Sequence, residues 1–226
     1  MHYRLRNNLS SCDVDGHLIF LDVAQDRYFE LTGDLAEAMR RFQTHEDVAS
    51  TQVEDLTASR ILVEAPNLKA RSAIADIRRP TSSAIEQPTK AEGQGVGMAI
   101  VFEVMAIVWS TRHQLKTRTL KTTLDETIAY RDRKIGVGAT PAVAEDKLLQ
   151  ATREFIRARR YVPIEPICLL DSLSLLRFLS RRKLLASIVF GVTPEPFTAH
   201  CWVQAGGMVL NETLFDSHTY TPIRVV

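Results

Sequence analysis

The chain has 226 residues, of which 45% are apolar and 24% are charged, and this is the composition of a soluble globular protein. Its length allows one large domain or two smaller ones, each with a core of its own. The formal net charge is +1, and the sequence has no run of Lys and Arg interleaved with aromatic residues, which argues against a nucleic-acid-binding protein.

The three cysteines, Cys12, Cys168 and Cys201, are odd in number and not closely spaced, which argues against a disulfide framework and a structural zinc site. Neither a metal nor another cofactor is expected. The amino terminus lacks the apolar segment of a signal peptide. The most apolar stretch, residues 97–109, contains Glu103 and is shorter than the roughly 20 residues that cross a bilayer. We therefore expect a buried helix there, no membrane span and a cytoplasmic protein.

The charge is unevenly distributed along the sequence. Residues 1–65 contain 6 Lys and Arg against 12 Asp and Glu, whereas the remainder contains 22 against 15. Such a division marks separate units with separate partners, or two halves that attract each other. Residues 66–95 contain three prolines and scattered Ser and Thr without a sustained period, which is typical of a linker. The sequence therefore predicts two units, residues 1–65 and 96–226, joined by a linker.

The first unit is predicted to contain strands followed by helices. Asp15 and Gly16 lie between two short apolar runs and predict a hairpin with a type I′ turn, which needs positive φ at both central residues. A third strand is predicted at RYFEL, residues 27–31. Helices are predicted over DLAEAMRRF, HEDVAS and TQVEDLTAS, and a last strand over ILVEA. Three strands followed by three short helices form a winged-helix-like unit.

The second unit is predicted to begin with helices and to end with an antiparallel sheet. One helix begins at Cys168, just after Pro166, and a later strand carries His200. The pKa of a thiol falls at a helix N-terminus and beside a histidine, and the thiolate is the nucleophile. The free N–H groups of the first helical turn would stabilise an oxyanion. Asn211 or Glu212, on the next strand, would orient the imidazole, and the strand register decides which of them does.

These two residues also have less specific interpretations. A lone cysteine at an apolar helix start is more often a small core residue, and a lone strand histidine is more often a satisfied core or surface group. Cys201 is a second candidate nucleophile. Because neighbouring residues of a strand point to opposite faces, Cys201 is not expected to share a pocket with His200.

Three segments carry a family resemblance: CLLDSLSLLRFLSRR from Cys168, IVFGVTPEPFTAHCWVQ around His200, and GGMVLNE up to Glu212. Together they resemble the lasso-peptide B proteins, which are leader peptidases of transglutaminase-like fold. The resemblance implies a catalytic triad of Cys168, His200 and Glu212, with glutamate where the family has aspartate. The first unit, from the Asp-Gly hairpin through RYFELTGDLAEAMRRF, resembles the RiPP recognition element. This peptide-binding domain precedes the peptidase in those B proteins that fuse both functions in one polypeptide.

The expected fold class is therefore α+β. A winged-helix-like peptide-binding domain precedes a transglutaminase-like, papain-like cysteine peptidase domain, in which helices pack on an antiparallel sheet. The resemblance implies a leader peptidase that cleaves a ribosomally synthesised lasso-peptide precursor near a threonine. It also implies a partner, an ATP-dependent cyclase of asparagine-synthetase-like type, that receives the freed core.

The leader peptide would add to the edge of the RYFEL strand, where backbone groups are unpaired. The residues expected to bind it are Arg27, Tyr28, Phe29, Glu30, Leu31, Gln52 and Asp55. Two alternative functions stay open. One is a non-catalytic peptide-binding or chaperone scaffold with a degenerate transglutaminase-like domain, and the other is an acyl or amide transferase that uses the same residues.

Overall fold

The structure is a computed structural model, and it describes residues 2–65, 79–88, 95–135 and 144–226. The fold class is α+β, as expected, with helices and mostly antiparallel sheets in the second unit and a smaller strand-and-helix unit before it. Within these described ranges, no helix is both long enough and apolar enough to cross a membrane.

The first unit contains five strands: β1 (Tyr3–Leu5), β2 (Leu9–Val14), β3 (His17–Asp22), β4 (Arg27–Leu31) and β5 (Leu62–Glu64). Strands β2, β3 and β4 form an antiparallel sheet in that order. The predicted hairpin between β2 and β3 is confirmed, since Asp15 and Gly16 have φ values of 51° and 84°. Strand β1, which was not predicted, pairs antiparallel with β5.

Two helices, α1 (Gly33–Thr44) and α2 (Ser50–Ala58), cover one face of this sheet. The prediction of a helix over HEDVAS is wrong. His45 ends α1 in the left-handed conformation, with φ 62°, and its N–H bonds back to the carbonyl of Phe42. The first unit therefore has two helices instead of three. Its core consists of residues Leu9, Leu18, Phe20, Ala36, Ala38, Met39, Leu56, Ile61 and Leu62.

Strand β3 is buried on both faces. Leu18 and Phe20 belong to the core of the first unit, whereas Ile19 and Leu21 belong to the core of the second unit. The continuous apolar run of this strand is typical of a strand covered on both sides. The two units therefore pack directly on each other, and the second unit contributes its last strand to this contact.

The second unit contains helices α3 (Met98–Thr117), α4 (Leu120–Ile135), α5 (Ala144–Arg159), α6 (Cys168–Arg181) and α7 (Leu214–Thr219). Its strands are β6 (Ser82–Ser83), β7 (Ser187–Thr193), β8 (Thr198–Ala205), β9 (Met208–Val209) and β10 (Thr221–Val225). They form one sheet in the order β10-β7-β8-β9-β6. Helix α6 is the centre of the unit, because it contacts α3, α4, α5 and strand β8.

The segment expected to be a linker, residues 66–95, is in part a structured piece of the second unit. Residues 82–83 form β6, which pairs parallel with β9, and Ala84 is buried. A linker over residues 79–88 is therefore wrong, because this short stretch completes the edge of the sheet. Residues 66–78 and 89–94 of that segment lie outside the described residues.

The apolar stretch at residues 97–109 forms the first half of α3, but it is buried on one face only. Val104 and Val108 are inside the core, whereas Phe102 is 61% exposed and Trp109 is 59% exposed. The expected buried helix is therefore confirmed for one face of α3, while apolar residues on its other face stay exposed.

Candidate active site

Helix α6 begins at Cys168 with an open N-terminus. Ile167, the residue before it, is extended, with φ −135° and ψ 129°, and no side chain caps the helix. Pro166 precedes Ile167 and disfavours helical backbone in the residue before it, which helps to fix the start of the helix. The N–H groups of the first turn have no intrahelical partner, so they are available beside the half-buried Cys168 thiol.

His200 lies in β8, and its ring lies near two aromatic side chains. The ring centroids of Tyr220 and Trp202 lie 5.1 Å and 6.4 Å from that of His200. Gly191, on the neighbouring strand β7, pairs with His200. A Cβ atom at Gly191 would stand 2.8 Å from both Trp202 and Tyr220, so only glycine leaves room for this packing.

The carboxylate of Glu212 contacts the imidazole of His200. Glu212 Oε1 lies 3.0 Å from His200 Nε2, so Nδ1 is the ring nitrogen that this contact leaves free. The backbone of Glu212 is held by Ser83 of β6, whose hydroxyl donates to the Glu212 carbonyl at 2.7 Å. Ser83 lies in the segment that was expected to be a linker, and no sequence pattern indicated its position near the site.

Asn211, the other residue considered for the third position, makes different contacts. Its Oδ1 accepts the N–H of Val203 at 2.7 Å, and its Nδ2 donates to Ser172 Oγ at 3.2 Å. This amide takes the place of a backbone partner for β8, and β9 ends after two residues, at Val209. These contacts leave Glu212, and not Asn211, as the residue whose side chain reaches His200.

The thiol of Cys168 is hydrogen bonded to two side chains, those of Cys201 and His200. These hydrogen bonds, with that of Cys201 the stronger influence, lower the pKa of Cys168 to about 4 although burial raises it. The hydrogen bonds with Cys168 and then Glu212 raise the pKa of His200 to about 9. At neutral pH the site therefore holds a thiolate next to an imidazolium, the reactive form of a nucleophilic cysteine.

The expectation that Cys201 stays apart from the site is wrong. Cys201 does point into the core, on the face of β8 opposite to Trp202, as strand alternation predicts. Cys168, however, interacts with the side chains of both Cys201 and His200, which belong to opposite faces of β8. The contact with Cys168, together with burial, raises the pKa of Cys201, so Cys201 remains a thiol that donates to the thiolate.

The residues expected to bind a leader peptide lie on β4 and α2. Strand β4, which contains Arg27, Tyr28, Phe29, Glu30 and Leu31, is an edge strand that pairs only with β3 within the described ranges. Phe29 and Leu31 pack on the core that includes Leu56 of α2, and Phe29 stacks on Phe20 with 5.1 Å between centroids.

The remaining expected residues of this set differ in exposure. On α2, Gln52 is half-buried and Asp55 is exposed, and both lie within about one turn of Leu56. On β4, Glu30 is exposed and contacts His17 Nδ1 at 2.9 Å, and Arg27 lies over the Phe29 ring at 5.3 Å.

Tyr28 differs from its neighbours on β4, because it faces the second unit. Its ring packs on that unit's core and lies 5.6 Å from the ring of Phe197, which precedes β8. Burial raises the pKa of Tyr28, and the nearby thiols of Cys201 and Cys168 raise it further. No sequence pattern indicated that Tyr28 approaches the Cys168 site.

Comparison with known proteins adds two findings. The family model of the transglutaminase-like superfamily matches residues 108–225, which contain Cys168, His200 and Glu212. The sequence is also 44% identical over 45 residues to the microcin J25-processing protein McjB of Escherichia coli. That similarity covers 20% of this protein and 22% of the relative.

No solved structure matches this sequence. The two matches fit the resemblance to lasso-peptide B proteins that the sequence motifs indicated. The superfamily match covers more than half of the sequence and includes all three residues of the hydrogen-bonded site. This protein therefore belongs to the transglutaminase-like superfamily.

Proposed function

We propose that this protein is a cysteine peptidase that removes the leader from a ribosomally synthesised lasso-peptide precursor. The observation that carries the proposal is the hydrogen-bonded series of Cys168, His200 and Glu212 at the uncapped start of α6. Membership of the transglutaminase-like superfamily and the similarity to a microcin J25-processing protein support it.

In the first half of the reaction, the Cys168 thiolate attacks the carbonyl carbon of the last leader residue. The oxyanion that forms accepts hydrogen bonds from the free N–H groups at the start of α6. The His200 imidazolium gives its proton to the departing amine of the core peptide, so the C–N bond breaks and a thioester remains on Cys168.

In the second half, water hydrolyses this thioester. Neutral His200 accepts a proton from the attacking water, the C–S bond breaks, and the leader leaves as a carboxylic acid. The Cys168 thiolate and the His200 imidazolium are then restored. Glu212 holds the imidazole in one orientation and stabilises its positive charge throughout, since its carboxylate lies 3.0 Å from Nε2.

The first unit would hold the leader as an added strand on the free edge of β4, so that main-chain hydrogen bonds give affinity. Arg27 to Leu31 would line one side, and Gln52 and Asp55 of α2 the other. The first unit is acidic, which favours basic leaders. The direct packing of the two units would keep a bound leader close to Cys168.

The partner implied by the family resemblance is an ATP-dependent, asparagine-synthetase-like cyclase that receives the core peptide. A free amine on the core is the product of the reaction proposed above. A cyclase that forms an amide from this amine would consume it, so cleavage precedes ring closure.

The test is incubation of the protein with the lasso-peptide precursor encoded beside its gene, followed by mass spectrometry. Hydrolysis should give a leader and a core whose combined mass exceeds that of the precursor by one water. Cys168→Ala should abolish cleavage and keep leader affinity. A product in which the leader is joined to an added amine would indicate a transferase.

A separate variant tests leader binding. Asp55→Lys, at an exposed position on α2, should weaken the binding of a basic leader peptide and leave the alkylation of Cys168 unchanged. A non-catalytic scaffold would bind the leader, alkylate slowly at Cys168 and release no core. Cleavage by the Cys168→Ala protein would reject the proposed nucleophile.

A further inference from the structure

A cleft lies at the junction of the two units, beside β4. It has a volume of about 190 Å³. Pockets for drug-sized ligands are larger, roughly 300 Å³ and above, so this cleft suits a single side chain. Its lining residues are Ile19, Tyr28, Phe29, Glu30, Pro194 and Phe197.

Both units contribute to the walls of this cleft. Tyr28 comes from β4 in the first unit, and Phe197 comes from the turn that leads into the strand of His200. Their rings lie 5.6 Å apart and are tilted by 59°. Phe197 remains 50% exposed, so its ring presents apolar surface to an incoming peptide. Such a shared wall forms only when the two units are packed together.

The chemistry of the lining favours an apolar occupant. Among the residues that line the cleft, Glu30 is the single charged one, and its carboxylate is already engaged by His17 Nδ1 at 2.9 Å. The remaining lining side chains are aliphatic or aromatic. An apolar side chain that enters the cleft loses water contact on both faces, whereas a charged one would lose hydration without a free partner.

The cleft also lies on the path from β4 to the candidate nucleophile. Tyr28 packs on the same core as Cys168 and Cys201. Its ring partner Phe197 lies three residues before His200, on the segment that enters β8. The cleft therefore joins the free strand β4 to the segment that carries the candidate base. The part of a peptide that would fill the cleft therefore lies between the part bound along β4 and the bond that Cys168 attacks.

We propose that this cleft is a specificity subsite for one apolar side chain of the leader, a proposal that rests on the leader-peptidase function proposed above. The residue that supplies this side chain lies between the part of the leader bound to β4 and the scissile bond. Tyr28 and Phe197 select it. The first unit thus contributes directly to the selectivity of the peptidase, in addition to holding the leader.

The test combines an alanine scan of the leader with variants of the cleft. In precursors derived from the one encoded beside the gene, each apolar leader residue near the cut is changed to alanine in turn. One such change should lower kcat/KM of the wild-type protein by about 10-fold or more, mostly through KM. In Phe197→Ala, whose native ring is half exposed, the same change should cost less than about 3-fold, because the partner of that leader residue is already lost.

Two control variants make the result specific. Tyr28→Phe keeps the ring, so the alanine changes in the leader should lower kcat/KM as they do in the wild type. In Tyr28→Ala, as in Phe197→Ala, the change of the critical leader residue should have a much smaller effect on kcat/KM. Asp55→Lys should weaken the binding of all precursors alike, so the relative effects of the alanine changes in the leader should stay the same. A scan that is the same in the wild type, Phe197→Ala and Tyr28→Ala would overturn the subsite alone. A wild-type protein that cleaves no precursor would overturn both the proposed function and the subsite.

Discussion

Glu212 and His200 are joined by a hydrogen bond of 3.0 Å between Oε1 and Nε2, and the backbone of Glu212 is fixed from the other side by Ser83. Family resemblance places aspartate at this position. In this protein the longer glutamate side chain spans the distance to the imidazole. The contact with the carboxylate at Nε2 holds the imidazole in one orientation.

Removal of this carboxylate should reduce activity strongly. We expect Glu212→Gln to lower kcat by about 10²- to 10⁴-fold, since the amide stabilises the imidazolium poorly. Glu212→Asp should be intermediate, because the backbone held by Ser83 cannot follow the shorter side chain. Steady-state cleavage of the precursor measures both. A Glu212→Gln protein with wild-type kcat would show that the carboxylate has no catalytic part.

The pH dependence follows from the two shifted groups at the site. The pKa of Cys168 is about 4 and that of His200 is about 9, so the thiolate is lost below the first and the imidazolium above the second. We therefore expect kcat/KM to be high between these values and to fall on both sides. The rate of Cys168 alkylation by iodoacetamide should already be near its maximum at about pH 6. In His200→Ala, the pKa of Cys168 should rise and this alkylation should slow.

The sequence predicted the elements that carry the strongest patterns. The Asp15-Gly16 hairpin, the start of α6 at Cys168 and the antiparallel sheet with the His200 strand all follow from turn chemistry or periodicity. Strands β1 and β6 have three and two residues, which is too short for a period, and only their pairing partners define them. The HEDVAS helix failed because a left-handed residue, His45, ends α1 at that point.

The residue types of the site could be predicted from the sequence, but the contacts that these residues make with their neighbours were less predictable. Cys168 and His200 follow from helix-start and strand chemistry, and their catalytic roles stay predictions. The predicted register did not distinguish Asn211 from Glu212 as the partner of His200. In the structure the Asn211 amide bonds to β8, and the Glu212 carboxylate contacts the imidazole. The contact of Cys201 with Cys168 depends on how α6 packs against β8, and no local sequence pattern predicts that packing.

Cys201 should tune the reactivity of Cys168. Its thiol donates to the Cys168 thiolate, and this contact contributes most to the low pKa of Cys168. Cys201→Ala should therefore raise that pKa and slow alkylation of Cys168 near about pH 5. Cys201→Ser retains a donor and should behave closer to the wild type. Coincident pH profiles for the wild type and Cys201→Ala would contradict this role.

Ser83 should support the triad through the backbone of Glu212. Its hydroxyl is buried and donates to the Glu212 carbonyl at 2.7 Å. Such a bond contributes about 0.5–1.5 kcal/mol, so its loss in Ser83→Ala should lower kcat by at most about 10-fold. Ser82→Ala, on the same short strand, is the matched control and should retain activity. Equal rates for Ser83→Ala and the wild type would show that Glu212 is held by other contacts.

Gly191 should be sensitive to the addition of a single methyl group. A Cβ atom there would stand 2.8 Å from Trp202 and Tyr220, the two rings that flank His200. Overpacking of this kind costs about 1–3 kcal/mol, so we expect Gly191→Ala to lower the free energy of unfolding in urea by that amount. Because those rings hold the imidazole, kcat should fall as well.

Gly95→Ala is the matched control for this change, since a Cβ atom at Gly95 meets no atom within 4 Å among the described residues. Its unfolding curve should coincide with that of the wild type. If Gly191→Ala loses stability but keeps full kcat, the position of His200 is set by Glu212 and Cys168 alone. If it loses kcat at a temperature where it remains folded, the aromatic packing behind the imidazole is part of what holds the base in place.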